Sequence, residues 1–189
     1  MMVFESKKAL RLSIKQQTKV LPANERERQA ALVTSFLAKL IQRYTNPTVA
    51  LFAPLADEIP INITELEKYC RVTLPKVDTT SDCPLMEFYP YAPENLSIGA
   101  YGISEPTASR PVSAEQIDIA IIPGVAFTRN GYRLGRGKGY YDCYLSRKEF
   151  RAETIGICFD HQLLATLPIE PHDRCVNMVV TASIIEQNR

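Results

Sequence analysis

An α/β fold, arranged as a three-layer α/β/α sandwich around a largely parallel sheet, is what the sequence predicts. Short, continuous apolar runs such as Thr48 to Ala53 and Ile117 to Ile122 have the character of strands buried on both faces. Amphipathic helical segments alternate with these runs, the order that builds parallel sheets through helical crossovers. No internal repeat, low-complexity tract or linker divides the 189 residues, which are read as one domain from 1 to 189.

The first element expected is a helix from Lys7 to Lys19, with Leu10, Ile14 and Leu21 at helical spacing and Lys7, Arg11, Lys15 and Lys19 forming a basic stripe on another face. Pro22 breaks it. Asn24 with Glu27 reads as a capping-box start for a second helix whose apolar positions are Ala30, Val33, Leu37, Leu40, Ile41 and Tyr44, ending at Asn46-Pro47. The Thr48 to Ala53 strand follows, then a helix from about Ile63 to Cys70. Further strands are expected at Arg71 to Leu74, Met86 to Tyr89, Ile117 to Ile122, Thr154 to Phe159 and Asn177 to Thr181, with a helix from Tyr140 to Phe150. The stretch from Asp78 to Ala114, rich in Pro, Ser and Tyr, gives no periodic signal. The sheet so assembled is Rossmann-like.

Composition narrows the function classes. With 22 basic and 21 acidic side chains the net charge is +1, which offers no global field for nucleic acid or an anionic membrane. The five cysteines are scattered, with no Cys-x-x-Cys and no histidine pair beside them, so reduced thiols in the cytoplasm are expected rather than a zinc site or a disulfide framework. The N-terminus lacks the apolar run of a signal peptide and no stretch has the length of a membrane span.

One segment carries chemistry. Between Pro123 and Asp142 the chain runs Pro-Gly-Val-Ala-Phe-Thr-Arg-Asn-Gly-Tyr-Arg-Leu-Gly-Arg-Gly-Lys-Gly-Tyr-Tyr-Asp, in which Gly135, Gly137 and Gly139 alternate with Arg136 and Lys138. Glycine lets the backbone bend with its N–H groups exposed while two cations stand beside them, a composition suited to phosphate. It is not a Walker A loop, because Gly139 follows Lys138 where a magnesium-binding hydroxyl would be needed. Nor is it a dinucleotide fingerprint, since the glycines begin well after the preceding strand ends. The loop leads into the expected helix at Tyr140, so the helix dipole would face the same anion, and Asp142 can offer an oxygen to a magnesium ion carried by the phosphates.

The Pro-Gly-Val-Ala-Phe string with Arg-Leu-Gly-Arg-Gly-Lys-Gly-Tyr-Tyr-Asp resembles the signature of the 5-formyltetrahydrofolate cyclo-ligase family. In that family's order the chain also has Lys7-Lys8-Ala9-Leu10-Arg11, Asp57-Glu58-Ile59, Tyr101-Gly102-Ile103-Ser104-Glu105-Pro106, and Leu167-Pro168 followed by His172-Asp173. The resemblance implies an ATP- and Mg2+-dependent closure of 5-formyltetrahydrofolate to 5,10-methenyltetrahydrofolate. ATP phosphorylates the formyl oxygen, N10 attacks the activated carbon, and phosphate leaves.

Residue by residue, the resemblance implies that Arg133, Leu134, Gly135, Arg136, Gly137, Lys138, Gly139, Tyr140 and Tyr141 cradle ATP, with Lys7, Lys8 and Arg11 closing over it. Arg136 and Lys138 act on the transferred phosphoryl group. Ala53 and Glu58 take the pterin, with Arg136, Gly137, Lys138, Gly139 and Tyr140 also lining the folate, and Asp142 and Asp173 bind magnesium. Phe88, Tyr89 and Tyr140 are the aromatic candidates for stacking, Tyr101 and Glu105 mark a motif near the pocket, and Asn177 receives no metal role. The expected partners are small molecules, without nucleic acid or membrane, acting on a cytoplasmic monomer. Other enzymes on such a scaffold, handling sugar phosphates or thioesters, would also want an anion loop, and a folate- or RNA-binding regulator could share the fold.

Overall fold

The structure, a computed structural model, describes residues 6–81, 83–170 and 173–188, without the side chain of Tyr101. His172 therefore lies outside the described residues. Two helices lead, α1 (Lys7–Val20) and α2 (Ala23–Ile41), followed by β1 (Thr48–Ala50), α3 (Ile63–Leu66), β2 (Arg71–Asp78), β3 (Leu85–Pro90), β4 (Leu96–Ile98) and β5 (Ser104–Pro106). The second half carries β6 (Ile119–Ile122), β7 (Ala126–Thr128), β8 (Arg133–Leu134), α4 (Tyr140–Leu145), β9 (Glu153–Ile157), β10 (Leu163–Leu164), β11 (Met178–Val180) and α5 (Ala182–Gln187).

Six strands form one sheet in the order β11-β9-β6-β1-β2-β3, parallel except for β3. The pleat explains the three layers. In β6 all four residues are buried, but Ile119 and Ile121 pack with α2 residues such as Val33, Leu37 and Ile41, while Ala120 and Ile122 pack with Tyr144 of α4 and with Phe88. Alternate side chains of one strand thus feed two cores, the condition for a sheet covered on both faces. Pro75 lies within β2 because that strand runs past the end of β1: β1 pairs only with Arg71 to Thr73, and beyond them β2 has β3 alone as neighbour.

A smaller sheet, β10-β7-β8, was not foreseen from the sequence. Leu10 and Ile14 of α1 pack against its Ala126 and Leu134, which brings the cationic start of α1 to the glycine loop. Several boundaries also differ from expectation. α2 starts at Ala23 with Pro22 as its N-cap, so Asn24 sits inside the first turn and does not cap, and Glu25 instead bonds Arg28 and Gln29. α4 ends at Leu145 rather than Phe150, where Ser146 Oγ donates to the carbonyl of Asp142 at 2.6 Å. α3 stops at Leu66, short of Cys70, and the Asp78 to Ala114 stretch contains the β4–β5 hairpin.

Candidate functional site

The strand order reverses direction between β1 and β6: the chain leaves β1 toward β2 on one side and β6 toward β9 on the other. Open α/β sheets bind ligands at such a point, beyond the carboxyl ends of the strands. A cleft of about 1090 Å3 lies there, lined by Phe52 and Ala53 after β1 and by Pro123 and Gly124 after β6. Its wall includes Lys7, Lys8, Arg11, Ala53, Glu58, Asp173 and the unbroken run from Arg133 to Asp142, which is every position the resemblance assigns to ATP, pterin or magnesium. Lys138 and Glu58, far apart in the chain, face one cavity.

The glycine loop owes its shape to two of its three glycines. Gly137 and Gly139 have φ of +91° and +74°, where a side chain is strained, whereas Gly135 lies outside that region and a Cβ there would meet nothing within 4 Å. Arg11 Nε donates to the Gly135 carbonyl at 2.7 Å and ties α1 to the loop. The expected dipole contribution is small, because α4 has only six residues. The loop's cations and backbone amides must carry any attraction for an anion.

The cations differ in how they are engaged. Arg136 donates from Nε and Nη2 to Glu58 Oε1 at 3.0 and 2.9 Å, and from Nη2 and Nη1 to the two oxygens of Asp57 at 2.5 and 3.2 Å. Burial alone would raise the Asp57 carboxyl, but the Arg136 hydrogen bonds and charge outweigh it and hold its pKa below the ordinary value. Lys7 bonds Asp173 at 2.8 Å and Glu170 at 3.2 Å; burial pulls its ammonium down, and these partners outweigh that and hold it up. Lys8 and Lys138 are exposed and have no hydrogen-bond or ion-pair partner among the described residues.

Arg133 is the buried cation of the set. Its side chain is 2% exposed, Nη2 donates to Asp142 Oδ1 at 2.6 Å, and its guanidinium lies 5.4 Å from the centre of the Tyr141 ring. Its Nε and Nη1, and the Tyr141 hydroxyl, are buried without a protein partner among the described residues. Burial, with the nearby Glu58 charge, pushes the Tyr141 phenol far above its usual range, so it stays a neutral donor.

The two carboxylates expected to hold magnesium both reach the cleft, each already bonded to a cation. Among the described residues no group of three or more His, Cys, Asp or Glu could hold a metal alone. Asp142 and Asp173 are hard oxygen donors of the type Mg2+ takes, and this ion is commonly held by one or two carboxylates together with substrate phosphates. Asn177 is engaged elsewhere: its Oδ1 accepts from the Thr154 amide at 2.8 Å and hydroxyl at 2.6 Å, joining the starts of β9 and β11.

Of the stacking candidates, Tyr140 lines the cleft. Phe88 does not: it is 1% exposed and packs edge-on against Tyr144 at 5.0 Å. Tyr89 lies under Lys76, outside the cleft lining. The apolar wall of Phe52, Pro75, Val77, Met86 and Ile103 went unread in the sequence, since nothing distinguishes such residues from core until the β2–β3 hairpin is placed. After Glu58, Ile59 and Ile61 are both buried and anchor the turn despite the intervening Pro60.

Comparison with known proteins shows the family of the chain. The model of the 5-formyltetrahydrofolate cyclo-ligase family matches residues 3–182. The chain is 33% identical over 184 residues to the 5-formyltetrahydrofolate cyclo-ligase of Mycolicibacterium smegmatis, covering 93% of each, and 29% identical over 191 residues to that of Mus musculus, covering 94% of each. Among solved structures, the 5,10-methenyltetrahydrofolate synthetase of Aquifex aeolicus superposes with a TM-score of 0.77 at 33% identity, over 93% of this chain and 89% of that one. The synthetase of Mycoplasma pneumoniae gives 0.76 at 25% identity, over 94% and 99%.

Proposed function

The chain belongs to the 5-formyltetrahydrofolate cyclo-ligase family, and on that premise we propose that it closes 5-formyltetrahydrofolate to 5,10-methenyltetrahydrofolate with MgATP, releasing ADP and phosphate. The formyl oxygen attacks the terminal phosphorus of ATP and ADP leaves. N10 then attacks the activated formyl carbon, the phosphorylated oxygen departs as phosphate, and N10 gives up its proton. No protein nucleophile is required, so the work left to the chain is positioning and charge stabilisation.

The observation that carries this reading is that Lys138, an unpaired cation on a glycine loop, lines the same cleft as the buried carboxylate Glu58. Lys138 would meet the transferred phosphoryl group, with the N–H groups of Gly135 to Tyr141 around the phosphates and Lys7, Lys8 and Arg11 above them from α1. Glu58 would accept the pterin N3–H and 2-amino hydrogens beside Ala53, the pair of bonds a carboxylate is shaped to take. Arg136 reaches a phosphoryl group only by giving up bonds to Asp57 and Glu58, so its exchange accompanies ligand entry.

Asp142 and Asp173 would hold the Mg2+, which when bound neutralises phosphate charge. Each must share or release its present cation. We place the reaction in one domain from 1 to 189, acting as a cytoplasmic monomer on small molecules, without nucleic acid or membrane. The net charge of +1 offers no global field for nucleic acid, and among the described residues no helix is long and apolar enough to cross a membrane.

The test is the methenyltetrahydrofolate absorbance that grows when purified protein meets 5-formyltetrahydrofolate. Growth is expected with MgATP and not without nucleotide or with metal chelated. Equal growth under all three conditions would overturn the assignment of MgATP.

A further inference from the structure

The described carboxylates lining the cleft are Glu58, Glu105, Asp142, Glu170 and Asp173. Four of these are ion-paired, Glu58 to Arg136, Asp142 to Arg133, and Glu170 and Asp173 to Lys7. Glu105 is the exception. It is 6% exposed, and among the described residues no cation bonds it and one donor reaches its carboxylate, the Val77 amide to Oε1 at 3.4 Å. A carboxylate offers about four acceptor positions, and a buried one left mostly unanswered is costly.

Its placement is built into the hairpin. Glu105 stands opposite Ser97 across β4–β5, and its carboxylate lies over Gly99, where a Cβ would meet Oε2 at 2.0 Å. A side chain at position 99 would displace the carboxylate from this place. Around it the cleft wall is apolar, formed by Pro75, Val77, Met86 and Ile103. A lone acceptor charge on an apolar wall repels phosphate and is too few in ligands for a metal, but it suits the N–H edge of a flat nitrogen heterocycle.

The geometry points to Glu105 as a second folate-binding carboxylate, one that accepts a pterin donor Glu58 leaves unused, the other 2-amino hydrogen or N8–H. This rests on the reading above that folate enters this cleft. The competing donor is adenine, which has a single amino group; a reduced pterin carries donors enough for two carboxylates.

The experiment measures equilibrium binding of 5-formyltetrahydrofolate in the presence of MgADP, and of MgADP alone, to the wild type, Glu105→Gln and Glu105→Ala, with thermal melts of each. Glutamine still accepts from the Val77 amide, so it keeps the hairpin's tie to β2 and loses only the charge. Expected is a folate Kd raised on the order of tenfold or more in Glu105→Gln, with the MgADP Kd and the melting temperature unchanged. Normal folate binding by Glu105→Gln, with loss confined to Glu105→Ala, would reduce the residue to a structural tie and overturn the proposal. Weakened MgADP with normal folate would overturn it in favour of adenine, and a wild type that binds no folate would overturn it together with the proposed function. Folate bound through Glu105 without turnover under MgATP would instead sink the cyclisation reading and leave this one standing.

Discussion

On the turn after β1, Asp57 and Glu58 are both bonded to Arg136, whereas at the start of α1 and in the glycine loop Lys8 and Lys138 stand exposed with no partner among the described residues. The first region uses its charges to hold its own shape, and a ligand entering there must compete with existing bonds. The second region offers charge that an anion meets without first breaking an ion pair. Lys138 and Arg136 stand two residues apart in the chain, so partners, not proximity, separate their roles.

Arg136→Ala breaks the comparison most severely, because it leaves Glu58, 7% exposed, without its cation. Turnover is expected to fall on the order of a hundredfold. Stability should fall by about 1–2 kcal/mol in denaturant titration, less than for a fully buried pair because the guanidinium is 38% exposed. Lys138→Ala, by contrast, should leave stability within about 0.5 kcal/mol, since no ion pair is lost. Equal destabilisation by the two would erase the distinction.

The loop's backbone gives a finer contrast. Gly137→Ala places a side chain at φ +91°, at a strain of roughly 1–2 kcal/mol, while its Cβ would sit 3.5 Å from the Arg11 guanidinium, an ordinary contact. Gly135→Ala meets neither problem. Turnover and nucleotide affinity are therefore expected to drop about tenfold in the first variant and to hold in the second. A matched loss in both would mean that loop shape is not what the glycines supply.

The smallest effect is in pH. Asp57 has a folded-state pKa below its ordinary 3.8, so its contribution to stability is fully present above that value and is lost as pH falls through the lower, folded-state value. The stability difference between wild type and Asp57→Asn should accordingly shrink as pH drops below 3.8. A difference that stays constant across that window in acid titrations would show that the Asp57–Arg136 bonds contribute nothing through charge.

The sequence made β1 and β6 legible because four or more apolar residues in a row need burial on two faces, and the observed strands are buried throughout. The cleft's polar members were legible for a different reason, the alternation of glycine with cations and the resemblance it carries. What escaped is local structure too short to have a period. Strands β7, β8 and β10 hold two or three residues each, and only their mutual pairing defines them. Phe88 and Tyr89 misled because an aromatic residue in a strand gives no sign of which side of the sheet is core. Glu105 was visible as a motif position, but its lack of a cation among the described residues could be seen only once the other described acids in the cleft had been matched to one.

The central claim is that Lys138 is held unpaired so that it can serve the phosphates, and the most direct measurement compares kcat and MgATP affinity of Lys138→Ala with wild type alongside their melting temperatures. The account predicts kcat lower by about a hundredfold or more, weaker MgATP binding and an unchanged melt. A variant with wild-type kcat and wild-type MgATP affinity would contradict it.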